Sequence, residues 1–134
     1  MKCLIAEDDF IARKILAGIL SDIGECHVTV NGQKAVAAFK TALEQDEPYD
    51  LLCLDIVMPE MDGRQALRAV RALEEAAGVD ESEGVKVIMI TLMTDPHNVL
   101  GAYREGCEAY IVKPVEKSEL LEEMDKLGLS VKTA

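Results

Sequence analysis

Positive charge is scarce in this chain: 14 Lys and Arg stand against 25 Asp and Glu, for a formal net charge of -11. A nucleic-acid reader needs a basic surface to displace counterions from phosphates. Direct nucleic-acid binding is therefore excluded as the main activity. Histidine is also scarce, with only His27 and His97, and the cysteines Cys3, Cys26, Cys53 and Cys107 form no C-x-x-C pair. The spacing of a structural zinc site is missing. Three of these cysteines lie in or beside apolar stretches and read as small buried hydrophobes. Disulfides are not expected in a reducing compartment. No apolar run approaches the roughly 20 residues of a membrane helix, so membrane insertion is not expected. The opening "MKCLIAEDD" has one basic residue and then a short apolar run that meets three acids. That is unlike a signal peptide, and the expected location is the cytoplasm. No linker rich in Pro, Gly or Ser and no low-complexity stretch divides the 134 residues. One domain over 1–134 is expected, with a frayed tail at about 129–134.

What is present is an alternation. Short apolar runs occur at "CLIA" (3–6), "HVTV" (27–30), "LLCL" (51–54), "VKVIMI" (85–90) and "AYIV" (109–112). They suit buried strands of a parallel sheet. Between them the apolar spacing turns helical. The stripes are Ala12, Ile15, Leu16, Ile19, Leu20, Ile23; then Ala35, Val36, Phe39, Leu43; then Ala66, Leu67, Val70, Leu73; then Val99, Leu100, Tyr103; then Leu120, Leu121, Met124, Leu127. Each suits an amphipathic helix laid on a sheet. Gly24, Gly78, Gly84 and Gly106 fall where helices hand over to strands. Five units are too few to close a barrel. The pattern predicts an α/β fold, a flavodoxin-like (βα)5 open doubly wound parallel sheet with strand order 2-1-3-4-5 in three layers.

In such sheets ligands sit beyond the carboxyl ends of the strands. Glu7-Asp8-Asp9 follows the first strand, Asp55 the third, Thr91 ends the fourth, and Lys113-Pro114 follows the fifth. The second ends in Asn31-Gly32 without an ionisable group. Several carboxylates on one rim repel unless a cation joins them, and Mg²⁺ held by oxygen ligands meets that need. Acids at strand ends also cap helices, and either Asp8 or Asp9 suits the first helix.

These motifs, in order, resemble the receiver domain of response regulators, and the stand-alone chemotaxis type in length. The resemblance runs from about Lys2 to Leu127. It is carried by "IAEDD", "LLCLDIVMPEMDG", "IMITLM" and "EGCEAYIVKP". It implies two-component signalling, with Asp55 taking a phosphoryl group from the phosphohistidine of a sensor histidine kinase. It implies Mg²⁺, or Mn²⁺, contacted by Asp8 and Asp55, by Glu7 mainly through water, and by the Val57 backbone carbonyl. Lys113 is implied to pair with Asp55 and then with the phosphoryl oxygens, with a cis peptide between Lys113 and Pro114. Thr91 and Tyr110 are the implied switch pair. The implied output face is the fourth helix, fifth strand and fifth helix, with Val99, Tyr103, Tyr110, Val112 and the surroundings of Lys117; Tyr103 also suits core packing.

The chain departs from the family pattern at Leu92, where a small residue is common. A bulky group there restricts the rim. Val57 and Met93 place apolar groups where polar ones help orient water, which predicts a long-lived aspartyl phosphate. Three functional readings follow. One is a switch, itself not an enzyme, that binds a downstream protein such as a motor switch component. Another is a phosphorelay carrier or phosphate sink, exchanging with a histidine phosphotransfer protein. The third is a hydrolase or flavin protein on the same fold. For that reading Val57 stands where a phosphatase wants a second acid, and acids stand where a flavodoxin wants a phosphate loop.

Overall fold

The computed structural model describes residues 1–129. Five strands and five helices alternate: β1 (Lys2–Ala6), α1 (Phe10–Ser21), β2 (Glu25–Thr29), α2 (Gly32–Glu44), β3 (Leu51–Leu54), α3 (Gly63–Ala76), β4 (Lys86–Thr91), α4 (Pro96–Arg104), β5 (Ala109–Val112) and α5 (Lys117–Lys126). The strands form one open, wholly parallel sheet in the order β2-β1-β3-β4-β5.

Side chains alternate across a strand, so each central strand feeds two cores. Leu4, Leu52, Leu54, Val87 and Met89 face one core, where α2, α3 and α4 supply Phe39, Leu67 and Ala102. Cys3, Ile5, Leu51, Cys53, Ile88 and Ile90 face the other, where α1 and α5 supply Leu16, Leu20, Leu120 and Met124. This is why "LLCL" is apolar at every position: it is buried on both faces. All four cysteines are free, and Cys3, Cys53 and Cys107 are buried. Burial pushes the thiols of Cys3 and Cys107 up to about 12, so they act as small apolar groups.

Four strand-to-helix junctions carry a side-chain cap: Asp9 on α1, Asn31 on α2, Asp62 on α3 and Asp95 on α4. At α3 the cap is reciprocal, with Gln65 reaching back to the Asp62 N–H. Parallel strands point one way, so all of these caps line one rim.

Four details depart from the sequence pattern. The second strand runs from Glu25 to Thr29, because its ladder with β1 begins at Lys2↔Glu25; as an edge strand it leaves Val28 exposed, and Val30 lies beyond its end, also exposed. Ile15 lies outside the core, exposed beside Ile11. Of the junction glycines, Gly78 and Gly106 adopt positive φ, whereas Gly24 and Gly84 do not. Leu129, at the start of the expected tail, donates its N–H to the Met124 carbonyl at 3.0 Å and packs on the α5 core. The rest of that expectation, 130–134, lies outside the described residues.

The amino rim of the sheet is closed by charge. Arg71 of α3 pairs with Glu74 at 2.7 Å and Glu108 at 2.9 Å, and donates to the carbonyls of Val85 and Gly106. Glu74 and Glu108 in turn accept the N–H groups of Val85 and Val87, at 2.7 and 2.6 Å. No helix among the described residues is long and apolar enough to cross a membrane.

Candidate functional site

The register Ala6↔Leu54 sets the ends of β1 and β3 side by side. The residues just beyond them therefore meet: carboxylate oxygens of Glu7, Asp8 and Asp55 all lie within 4.8 Å of one another. On the far side the Lys113 N–H continues the ladder to the Thr91 carbonyl at 2.9 Å. This delivers the lysine over β4, and its Nζ donates to Asp55 Oδ2 at 2.7 Å while pairing with Glu7 Oε1. Glu7 and Asp55 are 3% and 7% exposed, whereas Asp8 faces solvent. The peptide between Lys113 and Pro114 is cis.

Three carboxyls face one ammonium. Burial, with Asp55 beside it, pushes the Glu7 carboxyl up to about 7 despite Lys113. Burial works against the charge of Lys113, yet Asp55 and Glu7 hold its ammonium above the ordinary range. The donor set is all oxygen, with no thiol or imidazole in it. A hard divalent cation fits such a set and the surplus negative charge.

Asp9 stands apart from this cluster. Its side chain accepts the Ala12 N–H at 2.9 Å, so Asp9, not Asp8, caps α1. Arg13 ties down the same loop by donating to the carbonyls of Glu7 and Asp8 at 3.1 and 3.2 Å.

The loop after Asp55 is held by backbone. The Val57 N–H donates to Asp55 Oδ1 at 3.3 Å, and the Gly63 N–H donates to the Ile56 carbonyl at 2.9 Å. The Val57 side chain is exposed. The residue with positive φ in this loop is Glu60 (φ 68), not Gly63. Gly63 is required for room instead, because a Cβ there would overlap the Asp55 carbonyl.

Thr91 is fully buried at the end of β4, and its hydroxyl oxygen accepts the Met93 N–H at 3.3 Å. Tyr110 is half-buried, and its hydroxyl donates to the Met93 carbonyl at 2.5 Å. Both therefore grip the same backbone unit. Sequence reasoning had treated Met93 only as a rim side chain. Tyr103 is 46% exposed, 6.5 Å from Tyr110 between tilted rings, so it belongs to the surface and not to the core. Leu92, at 71%, is also exposed. With Ile11, Ile15, Pro114 and Val115 it lines an apolar groove of about 280 Å³ that ends on Glu7 and Lys113.

The model of the response regulator receiver domain matches residues 3–125. The chain belongs to that family. This receiver domain is 32% identical over 126 residues to the chemotaxis protein CheY of Listeria monocytogenes, covering 94% of this chain and 97% of that one. It is 30% identical to hybrid signal transduction histidine kinase B of Dictyostelium discoideum, over 96% of this chain and 7% of the kinase. Among solved structures, the receiver domain of the histidine kinase CKI1 from Arabidopsis thaliana, complexed with Mg²⁺, has a TM-score of 0.80 at 25% identity, covering 92% of this chain and 90% of that one. Membership places the chain in two-component signalling.

Proposed function

We propose that this receiver domain is a phosphorylation-driven switch and not a turnover enzyme. Its acceptor is Asp55. One Asp55 carboxylate oxygen forms a bond to phosphorus as the P–N bond of a sensor kinase's phosphohistidine breaks, and the departing imidazole takes up a proton. The observation that carries this reading is the juxtaposition of Asp55 with Lys113 at 2.7 Å inside a cluster that also holds Glu7 and Asp8. In phosphoryl transfer the protein mainly positions groups and neutralises charge on the equatorial oxygens. Asp8 and Asp55, with Glu7 and the Val57 carbonyl, are the groups to hold Mg²⁺ or Mn²⁺. When bound, that cation supplies positive charge toward the phosphoryl oxygens. Lys113 hands its hydrogen bond from Asp55 to a phosphoryl oxygen, and Thr91 offers its hydroxyl to another. Supporting a protein-borne donor is the apolar groove along α1 that ends on Glu7 and Lys113, the two partners beside Asp55.

The response leaves through α4, β5 and α5, where Leu100, Tyr103 and Val112 are exposed. Thr91 and Tyr110 act on it through the Met93 backbone. The full-length likeness to a chemotaxis protein favours a downstream protein such as a motor switch component as the partner. A second reading, a phosphorelay carrier exchanging with a histidine phosphotransfer protein, is favoured by the likeness to hybrid kinases.

Titration with beryllofluoride in the presence and absence of Mg²⁺, followed by amide resonances, tests the proposal. The wild type should give saturable shifts around Asp55 and Lys113 that need Mg²⁺, and Asp55→Asn should give none. An unresponsive wild type, or an equal response from Asp55→Asn, rejects the acceptor assignment.

A further inference from the structure

Of the nine residues of α4, only Ala102 is buried, whereas α3 buries Gly63, Ala66, Leu67, Val70 and Glu74. Apolar packing therefore holds α4 lightly. Its polar ties run to α3. Arg64 Nε donates to Glu105 Oε1, at the C-cap of α4, at 2.5 Å. Arg64 Nη1 reaches Asn98 Oδ1, in the first turn of α4, at 3.4 Å. Arg68 takes the other Glu105 oxygen. Burial pushes the Glu105 carboxyl up, but the two guanidinium groups more than offset it and hold it below the usual range. Between the two ties lies Gly101. A Cβ at that position would overlap the Arg64 guanidinium. A glycine inside a helix costs about 1 kcal/mol relative to alanine, and here its missing side chain is the space Arg64 fills.

The other end of this connection is the acceptor. Arg64 follows Gly63 directly. Gly63 is bonded through its N–H to the Ile56 carbonyl and packs against the Asp55 carbonyl so closely that no side chain fits. A single residue thus joins the backbone of the acceptor loop to both ends of the lightly held helix.

We infer that Arg64 is a positioning residue that couples the Asp55 loop to α4, acting through Asn98 and Glu105. It forms a second route beside the one through Thr91, Met93 and Tyr110. The inference rests on the reading of Asp55 as acceptor. A shift of the loop carries the Arg64 fork with it, and a planar fork with two acceptors on one helix transmits rotation as well as position. Coupling between sites needs an element with two arrangements that both sites bias, and α4 is the least anchored helix on this side of the sheet.

The experiment compares the full chain with Arg64→Ala and Arg64→Lys under saturating Mg²⁺ and beryllofluoride. Amide shifts are read at Thr91 and Met93, and separately across Gly101–Glu105. In Arg64→Ala the first group should shift as in wild type, while the second shrinks about threefold, within the range expected of a coupling residue. Arg64→Lys keeps a charge for Glu105 but lacks the fork, and should fall between the two. If Arg64→Ala does not fold, Glu105→Gln should give the same selective loss. Equal Gly101–Glu105 shifts in wild type and variant overturn the inference, even if the variant is less stable, because loss of stability alone does not change the response to ligand. If the wild type itself does not bind beryllofluoride, the acceptor reading has failed. The coupling is then tested without ligand: Arg64→Ala must perturb Ile56–Gly63 together with α4, and a change confined to α4 overturns it.

Discussion

The two rims of the sheet each carry a half-buried ionic cluster, and they are built on opposite principles. At the amino rim, Glu74 and Glu108 bond both to Arg71 and to backbone N–H groups at 2.7 and 2.6 Å. At the carboxyl rim, Glu7 and Asp55 share one lysine, and their backbone bonds, from Asp9 and Val57, are 3.3 Å long. Asp8 adds a third carboxyl. The first cluster closes the structure where α3 meets β4 and β5. The second leaves negative charge in surplus at the place where ligands meet an open α/β sheet. Carboxylates taken up by a guanidinium and by close backbone N–H groups tie elements together, and carboxylates less well satisfied are available for chemistry.

Stability separates the rims most sharply. Arg71→Met strands the buried Glu74 and the half-buried Glu108, and should cost about 3 kcal/mol in urea denaturation. Asp55→Asn removes one of the crowded charges and should leave stability unchanged or raised. A similar loss in both would erase the distinction. Next in size is cation binding. Asp8→Asn should weaken Mg²⁺ binding by roughly tenfold, because affinity follows the count of charged ligands, whereas Glu108→Gln should leave it alone; calorimetric titration reads both.

A pH effect follows from Glu7. Its carboxyl is raised from 4.5 to about 7 in the folded chain. Between those values the folded state binds more protons than the unfolded one. The stability contributed by the protonated group is complete below 4.5 and is lost as pH rises through 7. In divalent-free buffer, stability should therefore fall from about pH 5 to about pH 8, and Glu7→Gln should flatten the slope. An unchanged slope in the variant would contradict the crowding argument. The smallest effect concerns the lifetime of the acyl phosphate. Val57→Asn or Met93→Glu offers a polar group to an attacking water, and should speed phosphate loss about threefold. If neither rate changes, apolar neighbours of the acceptor do not set the lifetime.

Much of this was legible along the chain. "LLCL" is bounded in the structure where its apolar run begins and ends, since a strand buried on both faces has no polar positions; "AYIV" keeps its bounds too, although β5 lies at the sheet edge with Val112 exposed. The open sheet followed from counting βα units, its strand order from the flavodoxin-like pattern, and the rim from reading what comes after each strand. The edge strand β2 was less legible, because its ends are set by its partner β1 and not by its own residues. Ile15 was misplaced in the core because helical spacing cannot tell a core face from an exposed groove wall. The Arg64 connection was not read at all, since Glu105 lies far along the chain. One signal did exist: Gly101 interrupts the stripe of α4, and a glycine inside a helical pattern asks for a packing reason. The shared grip of Thr91 and Tyr110 on Met93 runs through backbone atoms, which carry no residue-specific trace.

The difference between the rims is tested most directly by intact mass after incubation with acetyl phosphate and Mg²⁺. The wild type should gain a single phosphoryl group that is lost on treatment with hydroxylamine, Asp55→Asn should gain none, and Glu108→Gln should behave as wild type. A wild type that stays unmodified, or an Asp55→Asn chain modified to the same extent, would contradict the account.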